Sequence, residues 1–558
     1  MSSFLNLFSE PEAEPNAGKA KSASLFDLFE DPEAPPASGS TAEAPAPEVP
    51  CALASGFREN RVFWAMRNIP VQEATRHFLV CGTTGSGKST AIRLFLQSIA
   101  RRFHEDREYP EQLIVFDAKG DMIPVLSSLG LQPTAKNVCI LNPFDSRSKV
   151  WNFADGVQEP AMARHLAVLL IPEEKHQGRY FTDASRELLY AVVLALNSIA
   201  GKGWTFRDLL CAMESAEHIM AVTARYPRAK AIAWSILNDE RHSGAVLSTL
   251  ATRLGQFEQV AALWATHPSA EYFSIEKFFA QPGVLILGND PTLKESIWPI
   301  NAVVLKALTD HILRQPDLPS EVRHPRFWFI FDEFSWMNNV ACIHDLLNRG
   351  RSKGASVLIG FQTLEGLIEI YNEHGANDIL SQCAHKTFLR AGGPKTAEWA
   401  EHFFGKIRHK FPVYSETTGR EHSVSINYPL TEHSLFIASE FLNIPFPGPG
   451  LPYVAINDVP SLGCTLITKR PSSEVFSWLT KPADGANIER RTAVEDQTLV
   501  PWTEDQCKFY CEAPDSKEQE KQAPEDEKKK TPMKPWRKKF PTRQPTKGQP
   551  EDAIRLDF

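Results

Sequence analysis

GTTGSGKST, Gly82 to Thr90, follows the apolar run Phe78 to Cys81 and opens AIRLFLQSIA, in which Ile92, Leu94, Phe95 and Ile99 recur at helical spacing. Strand, glycine-rich loop and helix in that order make a P-loop. Gly82, Gly85 and Gly87 let the backbone turn its N–H groups inward, and the helix start adds the positive end of its dipole, which together cradle the phosphates of a nucleotide. Thr83, Thr84, Ser86 and Thr90 complete the lining. Lys88 is expected to reach the β- and γ-phosphates of ATP, and Ser89 to offer its hydroxyl to Mg2+.

Downstream, LIVFDAKGDM (Leu113 to Met122) is a short apolar strand ending in Asp117 and a Lys-Gly turn, and VCIL (Val138 to Leu141) is another. From about 157 to 270 the pattern turns helical, with Leu188, Leu189, Val192, Val193 and Leu196 on one face and Thr182 as an expected N-cap. Strands resume at GVLILG (Gly283 to Gly288) and at FWFIFDEF (Phe327 to Phe334). The second delivers Asp332 and Glu333 to a strand's C-terminal edge, where ligands bind in parallel α/β sheets. An acidic pair after an apolar strand is often only a solvated strand end; behind a P-loop it reads as a Walker B pair. Asp332 then holds Mg2+ through water, and Glu333 orients the attacking water. In GRSKGASVLIGFQ (Gly350 to Gln362) the strand ends on Gln362, a position for sensing the γ-phosphate. Arg349 and Arg351 precede that strand and Arg390 comes after HKTFL; each is a candidate for stabilising the developing charge, in its own subunit or in a neighbour.

The fold class expected from these signals is α/β, with an all-α domain inserted between strands of the nucleotide fold. The 558 residues, 42% of them hydrophobic, suffice for two to four domains. The net charge of −8 comes almost wholly from the first fifty residues, where Asp and Glu far outnumber Lys19 and Lys21. The near-neutral remainder does not advertise nucleic-acid binding. Nine cysteines without a C-x-x-C read as reduced thiols, not as a zinc site or disulfide frame. No apolar run is long enough to span a membrane and no signal sequence opens the chain, so a cytoplasmic protein is expected. Residues 1–52 read as disordered and carry a duplication, FLNLFSEPEA and LFDLFEDPEA, with the look of tandem docking peptides. Residues 483–558 also read as disordered. Within them PWRKKFPTR sets Trp536 and Phe540 among positive charges, which suits either single-stranded DNA or a solvated charge run.

As a set, TRHFLVCGTTGSGKST, LIVFDAKGDM, CILNPFDSRSKVW, FSIEKFF, FIFDEF, NRGRSKGASVLIGFQTLEGL, TAEWAEHFFG and the TTGREHS run resemble the conjugative type IV coupling proteins over about 68–479. The resemblance implies a RecA-like domain in two parts, 53–156 and 271–482, interrupted by a small all-α domain at 157–270. It also implies a homo-hexameric ring moving DNA at the expense of ATP and Mg2+. The family's P-loop falls on Gly82 to Ser89, its Walker B pair on Asp332 and Glu333, its glutamine on Gln362, and its two arginines on Arg76 and Arg351. Arg76, Arg351 or Arg390 is then the arginine that reaches a nucleotide, Arg76 being placed also among the nucleotide-binding residues. Implied partners are DNA, relaxase and relaxosome proteins, and a secretion-channel ATPase. Members of the family usually begin with membrane helices; the acidic repeat stands there in this chain, so either recruitment by a small membrane anchor protein, through the Phe4 and Phe26 motifs, or action away from the membrane altogether is expected in place of a direct span. The alternatives are a duplex DNA translocase of the FtsK or HerA kind and an adaptor ATPase that collects protein cargo.

Overall fold

The computed structural model describes residues 60–512, apart from 104–108, 174–178, 240, 267–271, 291, 320, 323, 339, 341, 411, 419–421 and 492–497. The duplicated motif before residue 52 and the Trp536 segment lie outside the described residues.

A short hairpin, β1 (Arg61–Trp64) and β2 (Arg67–Pro70), precedes β3 (Phe78–Cys81), the P-loop and its helix Lys88–Ile99. β4 (Gln112–Asp117) and β5 (Val138–Leu141) come next. Then β6 (Val150–Trp151) pairs in parallel with β7 (Tyr272–Phe273), and between these two short strands the described residues form helices and their connections, from Phe153–Gly156 to Glu258–Ala265. The chain returns through β8 (Gly283–Gly288), β9 (Phe327–Phe331), β10 (Ala355–Phe361) and β11 (His385–Phe388). Two antiparallel pairs lie beyond: β12 (Lys406–Lys410) with β15 (Leu430–Ser434), and β13 (Val413–Thr418) with β14 (His422–Asn427). The antiparallel strands β16 (Pro452–Val459) and β17 (Cys464–Pro471) close the sheet.

The main sheet has nine strands in the order β17-β16-β11-β3-β10-β9-β4-β8-β5. From β11 to β5 every neighbouring pair is parallel; β16 and β17 form an antiparallel edge. Each residue of β3, β4, β5, β8, β9, β10 and β11 is buried, as a sheet covered on both faces requires. Alternate side chains feed two cores. Phe78, Val80, Leu113 and Val115 pack with Phe95 and the β1–β2 hairpin. Leu79, Ile114, Phe116 and Leu285 join a cluster that runs unbroken through Trp151 and Leu166 into Leu188 and Leu250 of the helical insertion. The α/β fold with inserted helices is therefore as expected, and the insertion shares its core with the sheet.

Two local expectations fail. Thr182 does not cap its helix: the helix spans Arg179–Ala200 and Thr182 is buried inside its first turn. Nor is the chain featureless from 483 onward. Ala483 donates to the Pro124 carbonyl at 3.0 Å, Ser146 donates to that of Glu489 at 2.8 Å, and a helix spans Glu504–Cys511. Trp502 is buried, donates its Nε1–H to Asp208 at 2.8 Å and stacks on Tyr510 at 4.8 Å. A few aromatic anchors inside a polar composition are enough to hold this segment against the helices. No helix among the described residues is long and apolar enough to cross a membrane.

Candidate nucleotide site

Because the inner strands are parallel, the loops leaving their carboxyl ends all meet at one edge. The P-loop after β3, the Asp117 turn after β4, Asp332 and Glu333 after β9, Gln362 after β10 and Arg390 after β11 gather there. The P-loop is stitched to this edge by its backbone: Gly82 donates to the Phe361 carbonyl at 3.1 Å and Thr83 to that of Arg390 at 2.9 Å. Gly87 caps the helix at φ 97°, a conformation that favours glycine, and a Cβ there would stand 2.6 Å from the Tyr453 ring.

Four of the expected residues converge. Lys88, buried at the helix start, places Nζ 2.6 Å from Glu333 Oε2. Gln362 donates from Nε2 to the same oxygen at 2.8 Å and accepts from the Thr84 hydroxyl at 3.1 Å. Ser335 donates to Glu333 Oε1 at 2.6 Å. Asp332, also buried, receives Lys119 at 3.1 Å on Oδ2, whereas its Oδ1 has no hydrogen-bond partner. Ser86 Oγ in the P-loop is likewise buried and unpartnered. Orphaned oxygens of this kind mark where a polar ligand belongs.

The donor set fits Mg2+. A carboxylate with an unused oxygen and the Ser89 hydroxyl in the first turn of the P-loop helix are hard oxygen ligands, and Mg2+ bound with a triphosphate needs only one or two from the protein.

Lys119 and Ser335 join the site without being singled out by the sequence motifs. The signal for Lys119 is the Asp-Ala-Lys-Gly-Asp turn. Asp117 accepts from the N–H groups of Gly120, Asp121 and Met122 at 2.8, 3.1 and 3.0 Å, which fixes the turn and aims Lys119 at the acids. Burial pushes the Asp117 carboxyl up to about 7, against those three donors. Burial depresses the Lys119 ammonium, but the carboxylates of Asp332, Asp121 and Glu333 together outweigh it and the net shift is upward.

The arginines divide. Arg390 is at the site's edge; its guanidinium lies 4.7 Å from the centre of the Phe446 ring and donates to the Ile444 carbonyl at 2.8 Å. Arg76 and Arg351 instead precede β3 and β10 and stand at the amino edge, the four residues of β3 alone separating the edges by roughly 13 Å. Arg76 pairs there with Glu73 at 3.1 Å, and Arg349 and Arg351 are exposed. The assignment of Arg76 to the nucleotide cradle of its own chain, and of Arg349 or Arg351 to its own phosphates, is therefore corrected: a residue at the amino end of a parallel strand cannot meet a loop that leaves its carboxyl end. Between them His77, buried at φ 62°, accepts from the Val357 N–H at 3.2 Å and bonds the Leu347 carbonyl at 3.0 Å, tying the two arginine segments together.

Comparison with known proteins agrees with this architecture. Residues 63–448 match the family model described as the type IV secretion-system coupling protein DNA-binding domain. The coupling protein TraD of Escherichia coli K12 is 20% identical over 341 residues, which cover 60% of this chain and 44% of TraD. The chain thus aligns with less than half the length of that relative. Among solved structures, the bacterial conjugative coupling protein TrwBdeltaN70 in its unbound monoclinic form superposes with a TM-score of 0.56 at 21% identity, over 77% of this chain and 90% of that one. TrwB in complex with ADP and Mg2+ gives 0.54 at 20% identity, over 77% and 90%. TrwB with the non-hydrolysable ATP analogue ADPNP gives 0.58 at 20%, over 78% and 92%. At such identities the likeness is one of fold, a RecA-like sheet with inserted helices. With the family model matching well over half of its length, this chain belongs to the type IV secretion-system coupling protein family.

Proposed function

We propose that the chain is a Mg2+-dependent ATPase that moves DNA toward a type IV secretion channel during conjugation, as a homo-hexamer receiving its substrate from relaxase and relaxosome proteins. The observation that supports it best is the meeting of Lys88, Glu333 and Gln362, whose side chains lie far apart in sequence yet share one carboxylate oxygen. The binding of ADP and Mg2+ by TrwB, a protein of like fold, supports the ligand set. The description of the matched family domain as DNA-binding supports the cargo.

In this reading the entering phosphates draw Lys88 away from Glu333, because a phosphate carries more negative charge than a carboxylate and the P-loop amides surround it. Glu333 is then free to accept a proton from a water aligned with the γ-phosphorus, while Gln362, held by Thr84, keeps that water in line. The water oxygen bonds to the γ-phosphorus, the bond to the bridging oxygen breaks, and ADP and phosphate leave. Asp332 and Ser89 would hold Mg2+, which would supply neutralisation of the phosphate charge. Arg76 or Arg351 of a neighbouring subunit would face the same phosphates across a ring interface.

ATP turnover of the purified chain with and without DNA tests this. Stimulation by DNA in the wild type, no turnover in Lys88→Ala, and nucleotide binding without turnover in Glu333→Gln are expected. Turnover indifferent to DNA would remove the motor, and turnover surviving Lys88→Ala would remove the site.

A further inference from the structure

We infer that Lys119 is the cation that neutralises Asp332 until a nucleotide arrives, from the carboxylate oxygen next to the unused one, so that Mg2+ entry and Lys119 withdrawal are a single exchange. This deepens the nucleotide-site reading and rests on it.

Asp332 is buried, with Asp121 also near enough to disfavour additional negative charge in this corner. A buried carboxylate without a counter-charge is expensive. Lys88, the nearest P-loop cation, is already committed to Glu333, so Lys119 supplies what Asp332 needs, at 3.1 Å. Asp332 and Glu333 accordingly each have their own ammonium partner, Lys119 and Lys88. Mg2+ brings two positive charges to the unused oxygen of Asp332, and an ammonium on the neighbouring oxygen of the same carboxylate is repelled by it.

Lys119 is built for such an exchange. Its backbone is pinned: Asp117 holds the turn from within, Asn289 donates to the Ala118 carbonyl at 3.0 Å, and Gly120 at φ 73° packs beside Ile488. Its side chain is not pinned, being 39% exposed, and a four-carbon stem lets the ammonium swing to water while the turn stays put. Of the two ammoniums, Lys88 has the phosphates as its next partner and Lys119 has solvent. Lys119 therefore acts on the metal by competition, as a positioning residue, and sets how much Mg2+ the site requires.

The test is a Mg2+ titration of the full chain at fixed fluorescent ADP analogue, read as bound nucleotide, in wild type, Lys119→Ala, Lys119→Met and Lys119→Arg. Lys119→Met keeps the stem and serves if the alanine variant folds poorly. Losing the competing charge should lower the half-saturating Mg2+ concentration on the order of five- to tenfold in the alanine and methionine variants, and Lys119→Arg should stay near wild type. A merely structural Lys119 would change melting temperature without moving the Mg2+ midpoint. An unchanged midpoint in both neutral variants, or a midpoint raised by them, overturns the exchange while leaving the nucleotide site intact. Failure of the wild type to bind nucleotide at any Mg2+ concentration would instead overturn the site itself.

Discussion

Glu333 is neutralised by Lys88, the residue that the proposed mechanism moves onto the phosphates. Lys88 and Glu333 are both buried, so removing the lysine alone strands a charge: Lys88→Ala should lose on the order of 3 kcal/mol in urea unfolding, and Glu333→Gln added to it should restore much of that. Additive losses in the double variant would mean the pair is not coupled. His77 gives a second residue-level prediction. Burial pushes its imidazole down to about 4 from an ordinary 6.5, and burial does the same to His385. A depressed folded-state value means the stabilisation is present above pH 6.5 and lost as pH falls through about 4. Unfolding free energy should therefore drop across that window, by about 3 kcal/mol for His77 alone, and the slope should shrink in His77→Gln. Lys88, Asp332, Glu333 and Gln362 are legible in the sequence because their chemistry is tied to fixed offsets from strands and glycines. Lys119 is not, because a Lys-Gly turn resembles any surface turn and its partner is 213 residues away.

At the level of elements, the parallel strand is what converts sequence order into a site. β9 and β10 run side by side, and their close approach depends on Gly360, where a methyl group would press on the Asp332 carbonyl oxygen. Gly360→Ala should cost roughly 1–3 kcal/mol by overpacking and weaken Mg2+-nucleotide binding, because the strand that carries Asp332 must shift. Unchanged nucleotide affinity with reduced stability would mean that the site tolerates the shift. The buried strands are readable as apolar runs, and the helical insertion as a change of period. Strand direction is the constraint that motif spacing hides: Arg76 and Arg351 lie close to the motifs in sequence, yet each precedes its strand and so belongs to the opposite edge. The helix Arg179–Ala200 likewise begins ahead of Thr182, which is buried within it instead of capping it.

For the whole molecule, the acids and P-loop stand on one edge of the sheet and Arg76 and Arg351 on the other; in the proposed ring these would be complementary halves of one catalytic arrangement. If these arginines act across a subunit interface, mixing Lys88→Ala chains with Arg351→Ala chains should regain part of the ATP turnover each lacks alone, because some interfaces then pair an intact P-loop with an intact arginine. No recovery at any ratio would place catalysis within one chain. The segment 483–512 adds contacts that composition hides, Ile488 beside Gly120 and Trp502 on Asp208, since disorder is read from averages and anchoring from a few side chains. The most direct measurement of the central claim is calorimetric binding of ADP with Mg2+ to wild type, Lys88→Ala and Asp332→Asn, each at a temperature where it is folded. One nucleotide per chain in the wild type, with binding lost in Lys88→Ala and its Mg2+ dependence lost in Asp332→Asn, is the predicted result; equal, Mg2+-dependent binding in all three would contradict it.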